Sequence, residues 1–193
     1  MLASSTKAAH RGFSLIELLV AIAILGIVMA VGLPSFQSWI RNTQIRTMGE
    51  SIQNGLRLAR AEAVRRNQNV EFVLVTTDPP TAANAADVGD VNGQSWVVRV
   101  PAVGVTAAVF IQGWGRSEGA RNVQITSPAP AAVYRFNSFG RLVAPLAAPT
   151  LVITDPTLSA SQARLLNVVV TTGGTIRMCD PYLALATNPQ GCV

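Results

Sequence analysis

Histidine occurs once in the 193 residues, as His10, lysine once, as Lys7, and cysteine twice, as Cys179 and Cys192; charged residues make up only 13% of the chain. A lone imidazole beside the N-terminus supplies neither a base for a buried nucleophile nor a ligand set for zinc. The glycine-rich Gly113-Trp114-Gly115 is not followed by Gly-Lys-Ser/Thr, so it reads as a turn and not as a phosphate cradle. Asp78, Asp87, Asp90 and Asn92 lack the alternating oxygen ligands and closing glutamate of a calcium loop and read as solvated. The expectation is a protein that is not an enzyme and holds no cofactor or metal.

What the chain has in excess is apolar surface. Hydrophobic residues make up 49% of it, and the excess sits in residues 13–33, where Glu17 is the only charge. That run is long enough to cross the roughly 30 Å hydrocarbon core as a helix. No second run of this kind occurs, so a single pass is expected. Lys7 and Arg11 precede the run, and Arg41 and Arg46 follow at a greater distance, which favours a cytoplasmic N-terminus and an exported C-terminal domain. Cys179 and Cys192 then fit one loop-closing disulfide in an oxidising compartment, worth about 3 kcal/mol; two unrelated thiols or half of a metal site are the alternatives. The formal net charge is +5, carried almost entirely by arginine. That suits bidentate phosphate or carboxylate contacts and equally an ordinary solvated surface.

The apolar run is longer than the core of a secretory signal. A carboxylate near its start costs about 1 to 3 kcal/mol unless it is paired or interfacial. The residues Arg11-Gly12-Phe13-Ser14-Leu15-Ile16-Glu17-Leu18-Leu19-Val20 closely resemble the type III signal of type IV prepilins and of type II secretion pseudopilins. The resemblance implies that a membrane prepilin peptidase cuts between Gly12 and Phe13 and that the new Phe13 amine is methylated. It divides the chain into a leader (1–12), a transmembrane and assembly half-helix (13–34) and an exported globular domain (35–193). Cleavage would place an ammonium four residues before Glu17, on one helical face. A negative charge in the first turns also suits the helix macrodipole. Within a filament the family assigns Glu17 to the amine of a neighbouring subunit, so its removal should spoil assembly more than folding. Gly26, Gly32 and Pro34 fit a bend or local melting, or simply the ordinary composition of membrane helices.

Beyond the run, Ile45, Met48, Ile52, Leu56, Ala59 and Ala63 recur in steps of three and four, opposite Arg46, Glu50, Arg57, Arg60, Arg65 and Arg66. This predicts one helix from Phe13 to near Asn67, on the order of 80 Å long at 1.5 Å per residue. Strand-like runs follow over 70–76, 95–100, 109–112, 122–126, 133–136, 151–154, 165–172 and 175–178. Gly173-Gly174 marks one hairpin, and residues 137–140 mark another leading into 141–143. Residues 77–94 and 144–150 read as exposed loops. Trp39, Trp96 and Trp114 fit core or membrane-interface positions better than base-stacking ones. The architecture expected is α+β, a long N-terminal helix packed on antiparallel sheet.

Residues 50–67, Tyr134-Arg135-Phe136-Asn137-Ser138-Phe139-Gly140-Arg141 and Arg177-Met178-Cys179-Asp180-Pro181 resemble the GspH/FimT family of minor pilins and pseudopilins. The resemblance implies a pilin-like fold and a low-copy filament subunit. Its partners would be other pilin or pseudopilin subunits, the prepilin peptidase and the bacterial inner membrane, with the C-terminal domain in the periplasm. The Arg-Met-Cys-Asp-Pro stretch looks more like the type IV pilus branch than the type II secretion branch. Some pilus-branch members bind DNA through Gly-Arg-x-Arg; the matching Gly174-Thr175-Ile176-Arg177 keeps only the second arginine. Arg177, joined by Arg141 and Arg164 if their strands end on one side, is the DNA-binding candidate. Pairing with Asp155, Asp180 or solvent is the alternative.

Overall fold

The structure, a computed structural model, describes residues 13–127, 131–145, 149–159 and 161–192, with the backbone alone over 31–34. The leader, with Gly12 and His10, lies outside the described residues, as does part of the 144–150 loop. The chain divides into two units, one ending at Gln37 and one beginning at Ser38.

One helix, α1 (Leu15–Arg66), supplies residues to both. Its helical backbone continues through Gly32 and Pro34, so the chain does not melt there. In the first unit the side chains from Phe13 to Ala30 are all exposed. In the second, the six positions at steps of three and four, Ile45 to Ala63, are all fully buried. The helix stops in a left-handed cap: Asn67 takes φ 52°, its N–H donates to the Val64 carbonyl, and Gln68 N–H donates to that of Ala63. This arrangement satisfies carbonyls that a helix end otherwise leaves open, and asparagine tolerates the left-handed φ.

Nine strands follow: β1 (Val70–Val75), β2 (Ser95–Val100), β3 (Val109–Trp114), β4 (Gln124–Thr126), β5 (Val133–Phe136), β6 (Leu142–Ala144), β7 (Thr150–Thr154), β8 (Leu166–Val170) and β9 (Ile176–Cys179). They form two antiparallel sheets, ordered β3-β2-β1-β5-β6 and β4-β7-β8-β9, so the long helix on antiparallel sheet that the sequence pattern predicts is present, with the strands divided between two sheets. Both expected hairpins are present. The β5–β6 turn closes through Gly140 N–H to the Asn137 carbonyl, and the β8–β9 turn through Gly174 N–H to that of Thr171. Gly140 and Gly174 sit at φ 71° and 81°, where a side chain would strain the backbone.

The core lies between the buried face of α1 and both sheets, with Phe72, Trp96 and Tyr134 at its centre. Gly55 permits the close approach: a Cβ there would come within 2.9 Å of Phe72 and 3.0 Å of Trp96. Trp96 donates its indole N–H to Ser51 Oγ at 3.0 Å, so this tryptophan is a core residue with its polar end satisfied. Burial pushes the Tyr134 phenol from 10 up to about 12, with Ser127 beside it pulling the other way. A pKa raised on folding gives stability that is complete below the unfolded value and lost as pH rises through the folded one. An alkaline titration of stability should therefore show a loss of about 2 to 3 kcal/mol between pH ~10 and ~12 that Tyr134→Phe lacks.

Residues 77–94 are not simply an exposed loop. They carry a 3-10 turn (Ala82–Ala86) with Ala85 buried. Arg99 on β2 holds the segment, donating from Nη1 to the Ala85 carbonyl at 2.9 Å and to the Asp87 carbonyl at 2.6 Å. On the sheet face opposite the main core, Val73, Val75 and Val97 form a second apolar cluster with Phe110 and Val133. Antiparallel register also brings Glu71 opposite Arg99 and Arg135. The 2%-exposed Glu71 accepts from Arg99 Nε at 3.0 Å and Arg135 Nε at 2.9 Å.

Candidate assembly site

At the start of α1, Ser14 acts as the cap. Its Oγ accepts the Glu17 N–H at 3.2 Å and its carbonyl accepts that of Leu18 at 3.2 Å. A serine three residues before a glutamate supplies a side-chain acceptor to a backbone donor that has no intrahelical partner. The helix therefore begins at Leu15, two residues later than the sequence pattern placed it, and Phe13 precedes it. Glu17 lies in the first turn, its side chain exposed among Phe13, Leu15, Ile16 and Leu18, all more than half exposed. A surface of this kind in water would be unstable without a cover, and lipid or neighbouring helices are the chemistry that fits it.

The structure joins Cys179 to Cys192, with Cα atoms 5.0 Å apart, and closes the C-terminal loop. Asp180 reinforces the closure: its N–H donates to the Gln190 carbonyl at 2.7 Å and its carbonyl accepts from Cys192 N–H at 3.2 Å. Reduction is expected to cost about 3 kcal/mol and to release the tail. Faster proteolysis within 180–192 after dithiothreitol treatment, with an unchanged core, is the observation that checks this.

The three arginines proposed for phosphate contacts occupy different places. Met178 approaches α1 at Gly49, so strand alternation turns Arg177 to the opposite face of its sheet. There Arg177 Nη2 donates to the Cys192 carbonyl at 3.0 Å. Arg164, whose N–H is held by Asn42 Oδ1 at 2.9 Å, lines a groove on the α1 side with Arg46 and Leu166. Arg141 follows the β5–β6 turn, beside Phe139 at the end where α1 terminates. Asp155 pairs with Arg41 at 3.3 Å, and Asp180 Oδ1 accepts Tyr182 N–H at 2.8 Å. The alternation along β9, visible only once a face is assigned, is what separates Arg177 from Arg164.

Several polar groups that organise the domain gave only faint sequence signals. Gln94 is one. Its Oε1 accepts Ile125 N–H at 2.6 Å and its Nε2 donates to the Ile125 carbonyl at 3.3 Å, so one amide pairs with β4 much as a strand would. Gln53 Oε1, with its amide oriented to satisfy both neighbours, accepts from Arg57 and from Met178 N–H at 3.1 Å each, tying β9 to α1. Residues 115–119 have the spacing Gly-x-Ser-x-Gly. Ser117 there donates its hydroxyl to Asp78 at 2.8 Å, and the described residues include no imidazole to act as base. The serine holds a turn.

A long helix with an exposed apolar first half, its second half packed on antiparallel sheets and a disulfide-closed end, defines the class of type IV pilin-like filament proteins. The chain belongs to the family described as Type II transport protein GspH, which matches residues 49–181, more than half of its length. Residues 7–33 match the prokaryotic N-terminal methylation motif. A fimbrial protein of Pseudomonas aeruginosa is 34% identical over 133 residues, covering 69% of this chain and 70% of that one. The type IV major fimbrial protein FimA of Dichelobacter nodosus is 38% identical over 56 residues, 29% of this chain. The chain spans about a third of the length of these FimA relatives. The crystal structure of the type IV minor pilin FimU of Pseudomonas aeruginosa superposes with a TM-score of 0.53 at 18% identity, covering 78% of this chain and 96% of that one. It shares the fold. The family is one of pilin and pseudopilin subunits.

Proposed function

We propose that the chain is a minor subunit of a type IV pilus that joins the filament at or near its tip and helps to initiate assembly. The observation that carries the reading is the single carboxylate, Glu17, in the first turn of a half-helix that is otherwise uncharged and whose side chains from Phe13 to Ala30 are all exposed. Processing between Gly12 and Phe13 frees an amine just ahead of that turn, and Glu17 pairs with the methylated amine of a neighbour inside the filament. The similarity to a fimbrial protein over 133 residues supports the pilus over the secretion apparatus. The domain is held outside the inner membrane by its N-terminal helix until it is drawn into the filament.

The second placement is the pseudopilus of a type II secretion system, for which the family description speaks. Deleting the gene separates the two. Loss of surface pili with normal secretion of folded proteins is the expected result; normal piliation with blocked secretion would move the chain to the pseudopilus. Capture of DNA needs several cations along one phosphate track. With Arg177 held by the Cys192 carbonyl on a different face from Arg164, subunit contacts are the favoured role. Salt-sensitive DNA binding abolished by Arg177→Ala would reverse that preference.

A further inference from the structure

The end of the domain at which α1 enters carries a surface that the assembly reading leaves unused. Three contacts tie residues 155–164 to the first part of the helix that belongs to the domain: Arg41 to Asp155, Asn42 Nδ2 to the Gln162 carbonyl at 2.9 Å, and Arg164 N–H to Asn42. The disulfide-closed loop 180–191 reaches the same level, since Asp180 and Gln190 line a groove of about 250 Å³ with Asn42, Arg46 and Arg164. Residues 181–191 contain no charge at all. The loop exposes Tyr182 (67%) and Leu185, and Trp39 is exposed on the helix at this end. Arg164 is exposed, and its guanidinium makes no hydrogen bond or ion pair with a protein group among the described residues.

Exposed tyrosine, tryptophan and leucine at the same end of the domain as an exposed arginine match the chemistry of a bilayer interface. The aromatic rings sit at headgroup level, and a guanidinium meets lipid phosphate. Position argues for the same occupant. Asn42 stands nine residues after Leu33, the last residue of the apolar run, so at most about 30 Å of chain separates this end of the domain from the anchor. A second exposed apolar protrusion, Val103 and Val105 on the β2–β3 turn, lies at the opposite end: β1 runs back from the terminus of α1, and Arg99 pairs there with Glu71.

We propose that loop 180–191 and Arg164 form a membrane-resting surface that takes phospholipid headgroups and supports the exported domain before it enters a filament. This rests on the reading of residues 13–33 as the membrane anchor. The disulfide acquires a purpose in this arrangement, because it keeps Tyr182 and Leu185 presented on a closed loop and not on a free tail.

The test uses the full chain in nanodiscs of phosphatidylcholine, with or without phosphatidylglycerol, doped with a headgroup nitroxide lipid. Backbone amide signals of residues 182–186 should lose about half of their intensity, as those near Trp39 do, while those of 103–106 keep theirs. The loss should grow with phosphatidylglycerol and fall at least about twofold in Arg164→Glu. Loop amides that behave like those of 103–106 while Trp39 is broadened would overturn the proposal and leave the anchor standing. The same holds if the loop is protected only when other subunits are added, which would give the surface to a neighbour. If Trp39 is unaffected as well, the anchor reading itself fails.

Discussion

Glu17→Ala should be cleaved and should reach the membrane like the wild type, yet be at least about tenfold depleted in sheared filaments. Its carboxylate makes no contact that folds the domain; it lies in the first turn with its side chain exposed, far in sequence from Ile45, the first fully buried core position. What the substitution removes is a charge that an amine can neutralise in a low-dielectric bundle. A charge left alone there costs several kcal/mol, whereas a paired one costs much less. Glu17→Gln keeps the shape and loses the charge, so it should fail as alanine does, and Glu17→Asp should recover part of the incorporation. Immunoblots of the sheared and membrane fractions check all three. Wild-type incorporation of the alanine variant would remove the electrostatic account of assembly.

Glu71→Ala is expected to destabilise the exported domain by about 3 to 5 kcal/mol, because it strands Arg99 in a site where the guanidinium is mostly out of water. The damage should spread locally. Arg99 also holds the Ala85 and Asp87 carbonyls, so residues 77–94 should loosen and become sites of early proteolysis. Arg135 is 41% exposed and can turn to solvent, so Arg135→Ala should cost distinctly less than Glu71→Ala. Urea titrations of the variants, read beside limited proteolysis, measure both effects. A cost for Glu71→Ala within about 0.5 kcal/mol would show that the triad contributes nothing net.

The helix was legible residue by residue. Ile45 to Ala63 read as one face because 3.6-residue periodicity survives over five turns, and the structure buries all six positions. The strands were legible for a related reason, since each short apolar run is bounded by glycine, proline or asparagine. The split into two sheets was not, because which strands pair depends on contacts between residues far apart, such as Gln94 with Ile125. The covering role of residues 77–94 was hidden by their polar composition. Its one clue was a charge placed inside each of three apolar strands, Glu71, Arg99 and Arg135, which antiparallel register then brings together.

The candidate site divides in the same way. Glu17 stood out as a single charge in an apolar run, and Ser14 ahead of it supplies a helix cap that the same residues could have announced. The surroundings of Arg177, Arg141 and Arg164 depend on strand face and on where the disulfide loop between Cys179 and Cys192 folds back, and neither is written in local sequence.

The most direct test of the central claim is the mass of the N-terminal peptide of this chain recovered from sheared filaments. A peptide beginning at Phe13 and carrying one added methyl group, present in the filament fraction and absent there for a Gly12 variant, is the predicted result. Full-length chain beginning at Met1, confined to the membrane fraction of cells that still assemble pili, would contradict it.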